Sequence, residues 1–468
     1  MFRHLGPLLH LLLPHLGTVL GFGLAVVLVA RMGTDRRPVT SAWAWLLAIV
    51  LVPWIGVPLY LGLGGRKLRR RAAAKTKLYP GGRAAGEETS VERLLAASGA
   101  PPARGANRCE LLTDGQSAFD RTIEIIGAAR RTIDLATFIF AGDGTGEAVT
   151  EALVARARGG VRVRLLVDAF FAFRASHRAF ALLRAAGGQV AFFMPLLLRR
   201  PLRGRANLRN HRKLLVVDGE TAIAGGMNVA DEYMGPRPRP DRWRDVAVAI
   251  RGPAALDIAH IFESDWAFAT DAQPTPPSAA EPPAAAPDDA AGRVQVVASG
   301  PDTVGDPLYD VLLSIIFEAR RRVTIATPYF VPDDALSRAL LLAVRRGVEM
   351  TIIVPARSNH PLADLAGAGT LRDLQAAGVR VRPYLAGMLH AKVLLVDDAL
   401  AIVGSANFDM RSLFLDFELA LLCASPAEVS SVARWFDDTL AHCGEALAGN
   451  RRPQAFREGV ARLLAPLV

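Results

Sequence analysis

Two long stretches near the start of the chain carry almost no polar signal. Leu5–Ala30 and Pro38–Gly65 contain no Asp, Glu, Lys or Arg, and most of their positions are apolar. Each exceeds the roughly 20 residues that a membrane-spanning helix needs. The pattern predicts an N-terminal helical hairpin over residues 1–77, with spans at about 8–30 and 42–63 and a basic flank. The second span excludes a cleaved signal peptide. Trp43, Trp45, Trp54 and Tyr60 suit interfacial positions, while Pro7, Pro14, Pro53 and Pro58 leave a shallow re-entrant hairpin as the alternative. Residues 78–108 are rich in Gly, Ala and Pro and read as a linker.

Beyond the linker, short apolar runs alternate with stretches of helical period, and the alternation occurs twice. Ala129–Phe140 (ARRTIDLATFIF) matches Ala319–Phe330 (ARRRVTIATPYF), each opening on a strand. A helix-period stretch follows each, Gly146–Arg158 and Ala335–Arg346, and then a second strand, Val161–Asp168 and Val348–Pro355. An internal repeat of this kind implies related units. The expected class is α/β, with one domain over 109–270 and its relative over 293–468. The Pro/Ala-dominated run 271–292 between them reads as a connector.

The two halves match best in one motif. The first copy places His211, Lys213 and Asp218 around an apolar run, then Gly225, Gly226 and Asn228; the second places His390, Lys392 and Asp397, then Gly404, Ser405 and Asn407. An apolar run closed by a turn signal reads as a buried strand. His and Lys two apart on a strand face the same way, so an imidazole and an ammonium converge. The Asp, seven residues after the His, faces the other way. Although it belongs to the motif and is a candidate catalytic residue on that ground, parity expects it to tie down the turn.

Composition sharpens this reading. The 468 residues suffice for two or three domains, and three cysteines fit neither a disulfide framework nor metal-ligand spacing. The net charge of +10 suits a phosphate-rich partner, either an anionic membrane or nucleic acid. Arg66, Lys67, Arg69, Arg70, Arg71, Lys75 and Lys77 follow the second span. They act as a topology determinant that places the rest of the chain in the cytosol, against a weaker pull from Arg31, Arg36 and Arg37 in the hairpin loop. Only five lysines stand against fifty arginines; three follow the hairpin, and the other two are Lys213 and Lys392. A compact ammonium suits a crowded phosphoryl site better than a guanidinium fork.

Two histidines at matched positions suit attack at phosphorus, one as nucleophile and the other as acid and base. The residues alone leave open which is which. Lys213, Lys392, Asn228 and Asn407 could hold the non-bridging oxygens. Each imidazole needs an acceptor on its other nitrogen, and Asp245 and Glu418, shortly after their motifs, are the candidates, with Ser405 beside them. No metal and no cofactor are expected. Arg199, Arg200, Arg203, Arg205 and Arg209 follow the apolar Phe192–Leu198; they read equally as a lipid entry rim or as a solvated loop after a buried strand. His360 reads as structural.

These residues resemble the phospholipase D superfamily with its paired HxKxxxxD motifs, and more closely the bacterial cardiolipin synthases with an N-terminal membrane hairpin. The resemblance covers nearly the whole chain, through residues 36–60, 210–213, 225–233, 327–333, 407–412 and 456–467. It implies two lobes with the active site at their interface, and transfer of a phosphatidyl group through a phosphatidyl-histidine. By the same analogy His211 is the nucleophile and His390 the acid and base. Two phosphatidylglycerols would give cardiolipin and glycerol at the bacterial inner membrane, with cytoplasmic catalytic domains on a multi-pass anchor. A membrane-bound hydrolase releasing phosphatidic acid is the nearest alternative. The hairpin argues against a nucleic acid partner, and two intact motifs argue against a non-catalytic lipid-binding scaffold. One departure stands out: Asp416 occupies a position where the family pattern has Asn.

Overall fold

The computed structural model describes residues 89–174, 177–194, 208–275 and 292–446, together with Gly23, Leu47, Ile49, Val52, Lys75 and residues 77–79. The two predicted spans therefore lie almost wholly outside the described residues, as do 276–291 of the predicted connector and the basic run 199–205. Among the described residues no helix is long and apolar enough to cross a membrane.

The first half contributes strands β1 (Arg104–Leu112), β2 (Thr132–Thr137), β3 (Arg162–Asp168), β4 (Gln189–Phe193), β5 (Leu214–Val217), β6 (Thr221–Gly225) and β7 (Ala247–Arg251). The second half contributes β8 (Gly292–Ser299), β9 (Arg322–Ala326), β10 (Phe330–Val331), β11 (Glu349–Pro355), β12 (Arg380–Tyr384), β13 (Val393–Val396), β14 (Leu400–Gly404), β15 (Phe408–Asp409) and β16 (Glu418–Cys423). Apart from the small β10–β15 pair, these strands form one continuous sheet in the order β12-β11-β9-β13-β14-β16-β8-β1-β7-β6-β5-β2-β3-β4. The order reads the same outward from the β8–β1 seam in both directions, so the sequence repeat becomes a pseudo-twofold axis. β1 starts ahead of the expected domain boundary at 109, and a helix at Ser90–Ala97 with a Thr89 capping box occupies part of the expected linker.

Strand character follows composition. β2, β3, β9 and β11 are short, largely buried and rich in Val, Ile and Leu, as parallel strands covered on both faces must be. The helices between them start where Asp side chains cap free amides, Asp143 on Gly146 and Asp333 on Leu336. The apolar core does not divide at the connector. One cluster stays within the first half, around Ile126, Ile133, Leu153 and Leu165. The larger runs from Val216, Val248, Ile258 and Phe262 across the seam to Val296, Ile325, Ile352 and Leu421.

β5 and β13 run antiparallel to β2 and β9, with Leu214 opposite Ala136 and Val393 opposite Ala326. The motif histidines therefore enter at the carboxyl edge of the parallel strands, where open α/β sheets place their ligands. The motif aspartates lie at the opposite end. Asp218 accepts from the backbone amides of Arg130, Arg131 and Thr132 at 2.9, 2.7 and 2.7 Å. Asp397 does the same for Arg320, Arg321 and Arg322 at 2.8, 2.7 and 2.9 Å. Both adopt left-handed backbone conformations, φ 56° and 52°, which the turns require. Seven residues of extended chain put each about 20 Å from its histidine. Their candidacy as catalytic residues is accordingly corrected: they staple the β5–β6 and β13–β14 hairpins to the neighbouring parallel strand.

Asp218→Ala removes a carboxylate from three backbone donors and should lower stability by about 2 kcal/mol. The denaturation midpoint should fall while the folded fraction keeps its specific activity. Normal stability with lost activity would refute the stapling role.

Candidate active site

The two motifs meet at the seam, and each histidine is completed by the other half of the chain. His211 Nδ1 lies 2.9 and 3.1 Å from the two carboxylate oxygens of Glu418. His390 Nδ1 lies 2.7 Å from Asp245 Oδ2. Asp245 and Glu418, the candidate acceptors, thus each lie against the histidine of the opposite motif. The backbone enforces the exchange. His211 N–H donates to Phe417 O at 2.9 Å and Phe417 N–H to Arg209 O at 2.9 Å; His390 N–H donates to Arg244 O and Arg244 N–H to Met388 O, both at 2.8 Å. Each pair of bonds forms a short parallel bridge that crosses between halves.

The lysines pack beside their histidines. Lys213 Nζ donates to His211 O at 2.7 Å, and Lys392 Nζ sits 2.8 and 3.1 Å from the ring nitrogens of His390. All four side chains are buried. Burial, and then the neighbouring lysines, hold both imidazoles far below their usual range, His211 at about 4 and His390 at about 3, although Glu418 and Asp245 pull upward. Both rings are therefore neutral at pH 7. With Nδ1–H committed to a carboxylate, each Nε2 keeps its lone pair. Burial also lowers Lys213 to about 7 and Lys392 to about 8. Lys392 is close enough to depress His211, and Lys213 to depress His390, so the four groups form one electrostatic unit.

The small-residue pair explains itself once the acids are placed. A Cβ on Gly226 would stand 2.1 Å from Asp245 Oδ1, so the short Asp side chain admits only glycine there. The longer Glu418 carries its carboxylate further out, and the matching Ser405 hydroxyl fits beneath and donates to Glu418 Oε2. Asn228 Oδ1 accepts from Ile139 N–H at 3.1 Å, which ties it to the loop after β2. Asn407 Nδ2 donates to Ser412 Oγ at 3.2 Å, and its Oδ1 has no partner among the described residues.

Aromatic walls, which the motif alone did not flag, complete the site. The Phe138 ring meets His211 edge-on at 4.9 Å, while Tyr233 and Trp243 flank His390 at 4.9 and 5.5 Å. Phe138 lies in the repeated stretch 129–140, and Tyr233 and Trp243 follow the first motif, so proximity in sequence was the available signal. Asp416 proves to be a second buried acid two residues before Glu418. Its Oδ2 accepts from Arg411 Nε at 3.1 Å, and burial pushes its carboxyl up to about 7. Arg209 is buried against Asp168, 3.5 Å away, and does not belong to a solvated rim. His360 meets Tyr329 edge-on at 5.6 Å, consistent with a structural role.

Comparison with known proteins places this geometry. The model of the cardiolipin synthase PLD-like domain matches residues 122–266 and again 312–440, one match in each half. The phospholipase D-nuclease N-terminal model matches residues 22–65. The chain is 32% identical to the major cardiolipin synthase ClsA of Bacillus subtilis (strain 168), over 96% of this chain and 98% of that protein. It is 34% identical to cardiolipin synthase A of Pseudomonas aeruginosa (strain LESB58), over 96% and 94%. Among solved structures, phosphatidylserine synthase of Haemophilus influenzae shares the fold, with a TM-score of 0.58 and 16% identity over 77% of this chain and 93% of that one. With the family's domain matched in both halves and the likeness running from end to end, the chain belongs to the cardiolipin synthases of the phospholipase D-like family.

Proposed function

We propose that the protein condenses two phosphatidylglycerol molecules to cardiolipin and glycerol at a bacterial membrane. The observation that carries this reading is the exchanged pair of neutral imidazoles, each held at Nδ1 by a carboxylate of the opposite half. His211 Nε2 attacks the donor phosphorus, and the P–O bond to the glycerol headgroup breaks. His390 supplies the proton to the departing glycerol oxygen. The anionic phosphodiester, on entering, raises the histidine values and favours the proton that His390 must carry. In the second step the headgroup hydroxyl of another phosphatidylglycerol loses its proton to His390 and attacks phosphorus. Cardiolipin leaves and His211 is restored. Lys213 and Lys392 neutralise charge that develops on the non-bridging oxygens in both steps. Asp245 and Glu418 orient the rings, Ser405 orients Glu418, and Asn228 and Asn407 shape the surrounding loops.

The apolar stretches before residue 66 would anchor the enzyme as a two-span hairpin, with the catalytic lobes on the cytoplasmic side where the heavier basic flank lies. Access of water to the phosphatidyl-histidine would divert the same intermediate to phosphatidic acid.

Purified protein in mixed micelles with labelled phosphatidylglycerol should yield cardiolipin and stoichiometric glycerol. Phosphatidic acid as the sole lipid product would overturn the synthase reading in favour of a hydrolase. His211→Ala should abolish glycerol release and the covalent intermediate by more than a thousandfold, at the scale of losing a nucleophile, with membrane localisation intact.

The shifted ionisations predict a pH response. Activity at limiting substrate should fall above about pH 7 to 8 as the lysines lose their protons, rise toward acid as His390 gains the proton it must deliver, and turn down once His211 protonates near 4. Because both imidazoles bind protons less readily folded than unfolded, the unfolded chain takes up more protons in acid. The imidazoles' contribution to stability should therefore be full above pH 6.5 and decline as pH falls from 6.5 toward 4. Because the raised carboxyl of Asp416 acts in the opposite sense there, the difference in thermal denaturation between the wild type and His211→Ala across that window isolates it.

A further inference from the structure

Lys75 was expected to be a flanking charge of the membrane segment, yet it is only 2% exposed. Its Nζ lies 2.5 Å from Asp265 Oδ1 and 2.5 Å from Asp302 Oδ2, one acid from each half of the chain. The same two acids receive Arg212, at 2.7 Å on Asp265 and 3.1 Å on Asp302. Two cations and two carboxylates thus make a neutral, fully buried quartet. Arg212 is the residue between His211 and Lys213. Asp265 also accepts from Asn210 Nδ2 at 2.9 Å, and Arg212 Nε donates to Glu418 O at 3.0 Å. Lys75 and Arg212 both lie against the Phe417 ring, at 4.9 and 5.4 Å. Phe417 is the residue whose carbonyl receives the His211 amide. The second motif has buried Ala391 where the first has Arg212, so the brace lies under one histidine alone.

We propose that Lys75 is a positioning residue for the first-motif histidine: by balancing the charge of the quartet it fixes both His211 and the Phe417–Glu418 segment that holds the ring. The chain around it is stapled to the same place. Lys77 Nζ donates to Pro301 O and Thr303 O at 3.0 and 2.9 Å, Leu78 N–H to Asp302 O at 2.9 Å, and Ala298 N–H to the Tyr79 hydroxyl at 3.2 Å. Lys75 and residues 77–79 are therefore part of the foundation of the active site.

The test is a charge-balance cycle in the full-length protein: Lys75→Met, Asp302→Asn and the double variant. Each single variant leaves an uncompensated buried charge, negative in the first and positive in the second. The initial rate of glycerol release from phosphatidylglycerol micelles should drop by roughly ten- to a hundredfold in each, as expected for a displaced reacting group, with KM little changed. The double variant, neutral again, should be faster than either. A second readout is independent of turnover. The pH titration of the His211 ring by NMR, where it faces Glu418, Lys213, Lys392, Ser405 and Phe138, should move upward in Lys75→Met and return in the double. Should Lys75→Met not fold, the double against Asp302→Asn alone decides. Additive losses, or a folded Lys75→Met with wild-type rate and an unmoved His211 titration, would overturn the proposal. Absence of glycerol release from the wild type would refute the synthase reading and leave the titration to judge this one.

Discussion

Each motif histidine is bonded to a carboxylate from the opposite half of the chain, and the rest of the structure is arranged so that these two bonds can form. Neither half contains a complete site: His211 without Glu418, or His390 without Asp245, would be a buried ring with an unsatisfied N–H. The exchange requires the halves to dock in one register. The continuous sheet through β1 and β8 and the two bridging segments at Asn210–Phe417 and Arg244–Leu389 provide that register. The apolar core agrees, because its larger cluster runs across the seam.

Burial is what makes the site chemically useful and also what makes it costly. Desolvation keeps two imidazoles neutral and drops two lysines toward neutrality, so the pocket holds nucleophilic nitrogen beside weakly held protons. Charge placed there has to be balanced locally. The exchanged acids balance the lysines, and the quartet of Lys75, Arg212, Asp265 and Asp302 balances itself beneath the first motif. Asp416 is balanced by Arg411 through one oxygen, while the other lacks a hydrogen-bond partner among the described residues and burial pushes the carboxyl up to about 7.

The pseudo-twofold symmetry is strict in topology and relaxed in detail. Gly226 and Ser405 occupy matched positions but answer acids of different length. Arg212 and Ala391 are matched as well, yet only the first has charged partners. These differences give two histidines of equal local chemistry unequal surroundings, on which the proposed division of labour between nucleophile and acid would rest.

Much of this was readable in one dimension. Apolar runs of strand length, the repeated ATFIF and ATPYF stretches and the paired motifs specified an α/β repeat, because side-chain period and turn residues are local properties. Parity along an extended strand points the motif aspartates away from their histidines, although membership of the motif alone makes them catalytic candidates. The scarcity of lysine pointed at Lys213 and Lys392, and the same scarcity could have singled out Lys75. Tertiary structure decided the pairings. That Glu418 serves His211 and Asp245 serves His390, that Phe138 and Tyr233 wall the rings, and that Lys75 is sealed between two acids are all contacts between residues far apart in the chain. No local period encodes them; they exist only because two half-sheets close on one seam.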